Sequence, residues 1–391
     1  MIYHLSFPHH PFLEQFLEPF ENQFPGKNKV LLITNSNNED NKCFIPDHLL
    51  KYKGSSKDEI IEIINHDKNA GVCIYWLNDD LIDIANKLNK EIKIYFRSYG
   101  SDINRIIYKN SKKIYKPETK KILQPNLIKR VLKQVLSPLY QPIKRLHKNN
   151  GNSKYFYFFQ RIDAIGTVTR NEFELLQYKI PNLTNNYILT AGYKKTDKTT
   201  NLFPNRINKN IQLGHSSFPI NNHVDILKKI SKFNMVEDLK IIVPLSYGDL
   251  SYGEKIIKAG RELLGKYFYP ITEYLDMEEY TQLIDSCESL IMNNCIQQGG
   301  ANINHYLLNG GKVYIDENNP IYIDKKQEGF IIFSVQNDLT EDHLFNFHLS
   351  LEEKRVNRSL TLKKVYDQTI IDSRTNQIYE LLHSSIKEIF N

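Results

Sequence analysis

Residues 296–320 read IQQGGANINHYLLNGGKVYIDENNP. An apolar run, SLIMNNC (289–295), leads into Gly299 and Gly300, and a helical stretch, ANINHYLLN (301–309), follows them. Gly310 and Gly311 then stop the helix, because left-handed geometry costs glycine little. The strand KVYID (312–316) runs back into a sheet and delivers Glu317 on a loop beside the same helix. At the first glycine pair, free backbone N–H groups and the positive end of a helix dipole meet, which suits an anion. A phosphate pocket with a nearby carboxylate fits this stretch, and so does an ordinary tight βαβ unit.

The same alternation extends through the chain. In the first half MIYHLSF, KVLLITN, AGVCIYWL and EIKIYFRSYGSD read as strands, with DEIIEIINHD and DDLIDIANKLN as helices between them, and DAIGTVTRNEFELLQYKIP adds a strand and a helix. The pattern restarts at NIQLGHSS and continues through LKIIVPLSYG and KYFYPIT, again with helices between, until the opening stretch closes it. Strand and helix at this spacing predict parallel sheets covered on both faces. The fold class is therefore α/β, with two Rossmann-like doubly wound domains facing a central cleft. The polar segment near 185–205 divides them, giving domains over 1–190 and 191–355 and a helical tail over 356–391 that packs back on the first. Ligands bind such folds at the carboxyl ends of the strands. The polar residues there are His9 and His10, Ser98–Asp102, Thr169–Glu172, Gly214–Ser217, Ser246–Gly248, Thr272 and Glu273, Gln297–Gly300 and Glu317–Asn319. His4, inside the first strand, reads as a satisfied core histidine.

A length of 391 residues suits two or three domains. The four cysteines show no C-x-x-C spacing and lie in or near apolar runs, as reduced core residues do. No signal peptide is expected at the N-terminus, and the longest apolar runs fall far short of the roughly 18 residues that cross a bilayer. Charge is uneven: residues 105–148 hold thirteen Lys and Arg against one acid, Glu118, so this stretch carries +12 of a net +6 and the remainder –6. Within it Leu127, Ile128, Val131, Leu132, Val135 and Leu136 recur at helical spacing, interleaved with Lys129, Arg130 and Lys133. A basic amphipathic helix of this kind suits a membrane headgroup region; a core-facing helix with a solvated basic side has the same pattern. Nucleic acid is not expected as a partner, since no aromatic-interleaved or helix-turn-helix pattern accompanies the charge.

Seven stretches, in order and at compatible spacing, carry a family resemblance: FPHHPF (7–12), YFRSYGSDI (95–103), GTVTRNEF (166–173), LGHSSFPINNHVDIL (213–227), KIIVPLSYG (240–248), IQQGGANI (296–303) and ENNP (317–320). On these the chain resembles the TDP-N-acetylfucosamine:lipid II N-acetylfucosaminyltransferases, glycosyltransferase family 56. The resemblance implies a GT-B enzyme whose second domain holds a nucleotide-diphosphate sugar and whose first holds a polyprenyl-diphosphate-linked acceptor. It also implies a peripheral location on the cytoplasmic face of the plasma membrane, in cell-surface polysaccharide synthesis.

Glycosyl transfer requires a stabilised leaving diphosphate and an acceptor hydroxyl that loses its proton. The chain has no D-x-D motif, so no metal or other cofactor is expected, and N–H groups, a helix dipole and cations must stabilise the diphosphate. Gln297, Gln298, Gly299 and Gly300 are the expected diphosphate site, with Gly214, Ser216 and Ser217 as the opposing turn. Tyr247 and Gly248 contact phosphate or sugar, Glu317 with Asn319 nearby accepts from sugar hydroxyls, and Thr272 and Glu273 meet the base. Asp102 is the expected general base, although an Asp before a helix is also a typical N-cap. His9 and His10 are the next candidates, as base or as acceptor-diphosphate ligands. Arg97 and Arg170 are expected near an acceptor phosphate, Arg170 alternatively in a surface ion pair. Lys129, Arg130, Lys133, Lys144 and Arg145 would hold an anionic membrane surface. No second carboxylate stands at a retaining-enzyme spacing, so inversion is expected. A non-hydrolysing nucleotide-sugar 2-epimerase and a catalytically silent membrane adaptor are the competing readings.

Overall fold

The computed structural model describes residues 1–7, 13–33, 51–52, 56–108, 114–123, 154–189, 203 and 209–384. His9, His10, Cys43, Lys129, Arg130, Lys133, Lys144 and Arg145, and with them the basic amphipathic stretch, lie outside the described residues. The chain forms two compact units, one of residues 1–107, 131–195 and 364–391, the other of 108–130 and 196–363.

In the first unit the strands β1 (Ile2–Ser6), β2 (Asn28–Leu32), β3 (Lys51–Tyr52), β4 (Gly71–Tyr75), β5 (Lys93–Arg97) and β6 (Ala164–Gly166) form one parallel sheet in the order β3-β2-β1-β4-β5-β6. Strands β1 and β4 are buried along their whole length, as continuous apolar strands in a covered parallel sheet must be. Around them lie α1 (Leu13–Gln23), α2 (Lys57–His66), α3 (Asp79–Lys87), α4 (Asn104–Ile107), α6 (154–161) and α7 (Arg170–Lys179). Ser56 caps α2, Asn78 caps α3, and Thr169 with Glu172 forms a capping box on α7. His4 is fully buried, bonded to the Tyr75 hydroxyl (2.9 Å) and Asn28 Oδ1 (3.0 Å). The last helix, α15 (Gln368–His383), sends Ile378 and Leu382 into this unit's core beside Leu13, Phe16 and Tyr75. Tyr379 stacks on Phe24 with ring centroids 3.7 Å apart.

The second unit repeats the plan. Strands β7 (Asn210–Leu213), β8 (Ile241–Pro244), β9 (Phe268–Ile271), β10 (Cys287–Met292), β11 (Lys312–Ile315) and β12 (Phe333–Ser334) are parallel, in the order β12-β11-β10-β7-β8-β9. Counted along the chain this is the same 3-2-1-4-5-6 order as in the first sheet, the order of dinucleotide-binding folds. Its helices are α5 (Pro117–Leu123), α8 (His223–Ile230), α9 (Leu250–Leu264), α10 (Met277–Asp285), α11 (Gly300–Leu308), α12 (Pro320–Gln327), α13 (Glu341–Phe345) and α14 (Leu351–Thr361).

The sequence keeps residues 105–148 with the first half, yet α5 belongs to the second unit. Its first-turn N–H groups are capped from another helix: Asp225 of α8 accepts from Glu118 N (2.9 Å), Thr119 N (3.0 Å) and Thr119 Oγ1 (2.8 Å). Ile122 and Leu123 then rest on the second unit's core. A cap supplied by a residue 106 positions away leaves no trace in local sequence. Among the described residues no helix is long and apolar enough to cross a membrane.

A Cβ at Gly71 would stand 2.7 Å from Leu382 Cβ, so this glycine is what lets α15 lie on β4. Gly71→Ala should cost about 1–3 kcal/mol through overpacking, read as a lower denaturant midpoint for the first unit with the second unit's transition unmoved.

Candidate functional site

In a sheet of this order the crevice opens where the chain reverses direction of growth, at the carboxyl ends of the two central strands. In the second unit these are β7 and β10. After β7 the chain turns through Gly214, whose N–H continues the ladder to Ile291 O (2.9 Å) and whose φ is +68°. A Cβ there would stand 2.7 Å from His223 Nε2. Ser216 and Ser217 are fully buried; Ser216 Oγ accepts from Asn221 Nδ2 (3.1 Å), while Ser217 donates from N (2.8 Å) and Oγ (2.6 Å) to Tyr247 O. The backbone of Gly248, at φ +114°, lies so close to Ser217 that a Cβ would meet its Oγ at 2.8 Å. The GHSS and SYG loops are thus one joined structure, with the Tyr247 ring half exposed against Phe218.

After β10 come Asn293–Gln298 and then α11. Gly299 takes the N-cap position at φ +68° and offers no side-chain cap to the first N–H groups of α11. His215 lies against this point: its Nδ1 is 3.3 Å from where a Gly299 Cβ would be. His215 is 9% exposed, and its Nδ1 has no protein partner among the described residues. Behind it, fully buried His223 has neither ring nitrogen bonded. Burial pushes His215 down to about 4 and His223 down to about 3, the latter helped by its neighbour. Both imidazoles are therefore neutral at neutral pH, each with one N–H to donate. Gln298 likewise has a buried Oε1 without a partner, while Gln297 is buried nearby. His215 falls within the Gly214–Ser217 cleft residues but received no role from sequence, and His223 was not singled out; nothing local tells a ligand-facing histidine from a core one.

Asn319 is fully buried. It caps α12 through Ile321 N (2.9 Å) and donates to Asn294 O (2.8 Å) and Ile296 O (3.0 Å), which fixes the loop leading to α11. Glu317, by contrast, turns toward β12, where Asn337 Nδ2 donates to its carboxylate and its own N–H meets Gln336 Oε1 (3.2 Å). The buried carboxylate of this loop is Asp316, which pairs with Lys116 of the segment before α5. Thr272 and Glu273 are exposed after β9, the edge strand, two strands from the crevice.

In the first unit the crevice lies between β1 and β4. Asp102 is buried, and both carboxylate oxygens are engaged: Oδ1 accepts from Ser98 Oγ (2.7 Å) and Tyr99 N (3.2 Å), and Oδ2 from Leu77 N (3.0 Å). It clamps the loop after β4 to the loop after β5. Burial raises its pKa against the lowering effect of those bonds. Arg97 is buried beside it, donating to Ser98 O (3.0 Å) and Gly166 O (3.1 Å). Glu172 is fully buried too, with Oε1 lacking a partner; burial pushes it up to about 8, so it holds a proton at neutral pH. Arg170 is on the surface, paired with Glu174 (3.4 Å) and lying over the Phe173 and Tyr187 rings.

The family model described as 4-alpha-L-fucosyltransferase, glycosyl transferase group 56, matches residues 145–360, more than half of the chain. No curated protein matches it. Solved structures do. One, "Trehalose-6-phosphate from E. coli bound with UDP-2-fluoro glucose", has a TM-score of 0.60 at 10% identity and covers 98% of this chain and 99% of that one. A glycosyltransferase from Rickettsia africae has a TM-score of 0.60 at 11% identity, with 97% and 98% covered. Anabaena Alr3699/HepE in complex with UDP-glucose has 0.58 at 9%, with 97% and 99% covered. At such identities the likeness is one of fold, and that fold is GT-B.

The buried groups set opposite pH limbs. A histidine buried neutral contributes stability that is complete above the unfolded value of 6.5 and is lost as pH falls toward 4. Glu172, raised from 4.5 to about 8, contributes stability that is complete below 4.5 and is lost as pH rises through 8. Glu172→Gln should therefore flatten the alkaline limb and His223→Asn the acid limb, each by about 2–4 kcal/mol, measured as urea midpoints from pH 4 to 9.

Proposed function

From the premise that the chain belongs to glycosyltransferase family 56, we propose that it transfers a sugar, an amino-deoxy sugar on the family resemblance, from a nucleoside-diphosphate donor to a lipid-diphosphate-linked glycan. The observation that carries the donor half of this reading is His215 Nδ1, buried and without a protein partner, beside the uncapped N-terminus of α11. A diphosphate there receives the N–H groups of Gly300 and its successors, the positive end of the helix dipole and the imidazole N–H together. These groups act most strongly on the charge that grows as the glycosidic bond to the diphosphate breaks, so they lower the barrier rather than merely hold the donor. Gly299 and Gly214 keep the approach open, since a side chain at either would meet Met292 or His223.

The first unit takes the acceptor. Because Asp102 is committed to three internal donors, the acceptor hydroxyl's proton goes to His9 or His10. Direct attack of that hydroxyl on the anomeric carbon inverts its configuration. The Lys- and Arg-rich stretch 105–148 supports a peripheral position on an anionic membrane face.

Calorimetry of the full chain against dTDP, UDP, GDP and CMP tests the donor half. One nucleoside diphosphate should bind, and thymidine is the base expected. Gly300→Asp puts an acid in the first turn, which a helix tolerates well, so the variant should fold normally yet lose binding. His215→Ala should weaken binding roughly tenfold, the worth of one hydrogen bond to a charged group. A chain that binds none of the four nucleotides would refute the transferase reading. With lipid-linked acceptor, His9→Ala or His10→Ala should reduce kcat roughly 100-fold or more.

A further inference from the structure

The crevice of the first sheet has a feature that the donor half lacks. Three neighbouring strands are each followed by an aromatic residue: Phe7 directly after β1, Trp76 directly after β4 and Tyr99 two residues after β5. β1 and β4 are the two strands between which this sheet's order reverses. All three side chains are half-buried. Their rings meet: Phe7 and Trp76 have centroids 6.0 Å apart at 88°, and Trp76 and Tyr99 are 6.0 Å apart at 30°. Phe16 supports Tyr99 edge-on at 5.5 Å, and the Arg97 guanidinium lies over both Phe16 (5.2 Å) and Tyr99 (5.6 Å).

The backbone at Trp76 adds a second, independent observation. Its φ is +63°, in the left-handed region that a bulky side chain enters at a cost of about 1–2 kcal/mol. Such strain persists only where surrounding bonds over-determine it. Here they are Trp76 N to Arg97 O (3.2 Å) and, at the next residue, Leu77 N to Asp102 Oδ2 (3.0 Å). The Asp102 clamp therefore helps hold the backbone at Trp76 against its own conformational preference.

We propose that Phe7, Trp76 and Tyr99 form a stacking site for a pyranose ring of the acceptor glycan, seated in the crevice of the first sheet. This rests on the proposed reading of that unit as the acceptor half. A sugar ring presents a face of polarised C–H groups, which the negative face of an aromatic ring attracts, and rigid rings hold it at little entropic cost. Rings set at 88° and 30° to one another offer a corner of fixed shape, suited to a rigid six-membered ring rather than to a flexible isoprenoid chain. Asp102 is then a positioning residue for this site.

Trp76 is the sole tryptophan of the chain, so its emission reports the site directly. The full-length protein would be titrated with N,N′-diacetylchitobiose, with decyl phosphate and with dTDP. The expected result is a saturable change in emission with the disaccharide alone. Tyr99→Ala should weaken that response roughly fivefold and raise the acceptor KM by a similar factor, leaving the donor KM unchanged. Trp76→Gly accepts the positive φ without strain, so it should keep its denaturant midpoint within the range of Tyr99→Ala while losing acceptor affinity. An emission change with decyl phosphate in place of the sugar would assign the rings to the lipid and overturn the proposal. So would a Tyr99→Ala enzyme with unchanged acceptor KM. Nucleotide binding at α11 with no response of Trp76 to sugar would defeat this inference alone. Absence of all nucleotide binding would instead defeat the transferase reading.

Discussion

The second unit is organised around one buried side chain. Asn222 is fully buried, in left-handed conformation at the start of α8. Its amide nitrogen reaches Ile114 O (3.1 Å), Ile220 O (3.0 Å) and Asn293 O (3.0 Å), while its Oδ1 accepts from Lys116 N (2.8 Å). Asn293 Nδ2 returns a bond to Asn222 O (3.1 Å). One residue thereby joins the segment before α5, the start of α8 and the loop after β10. In a low-dielectric interior such a network is stable only when complete, so these three segments form or fail together. It also holds the backbone of Lys116, whose side chain pairs with Asp316.

A second consequence of parallel sheets is that all loops able to carry chemistry emerge along one edge. The chain meets this constraint twice with the same strand order. It fills the two edges differently: neutral imidazoles, amides and an open helix end in the second unit, aromatic rings and a clamped carboxylate in the first. On the proposed reading, the difference matches what each holds, a compact multiple anion in one case and a flat sugar face in the other.

Both sheets were legible in the sequence because period and length decide them: runs such as AGVCIYWL and LKIIVPLSYG are too short for helices and too apolar for half-exposed strands. The helix stop at Gly310 and Gly311 was legible for a similar reason, since it needs positive φ at a defined place, and Gly310 takes φ +73°. What escaped was non-local. TRNE reads as a cluster of polar groups and proves to be a capping box; the recurring S/T-x-x-E spacing was visible, but not that burial would keep Glu172 protonated. Asp102 looks like a base by position, and only the folded chain reveals Leu77 N–H on its other side. Helix α1 went unassigned because Pro19 interrupts its pattern, although Leu13, Phe16, Leu17 and Phe20 keep one face buried.

The course of the chain has a further implication for its synthesis. Residues 196–363 supply the whole sheet of the second unit without interruption, so a ribosome that has released them has released nearly everything that unit requires. The first unit begins earlier but takes Ile378 and Leu382 of α15 into its core. Its sheet must wait, with part of its apolar surface uncovered, until α15 has been made. The order in which domains ordinarily mature during translation, N-terminal before C-terminal, is thus reversed here, and the half translated first is the one exposed longest to chaperones and to misassociation.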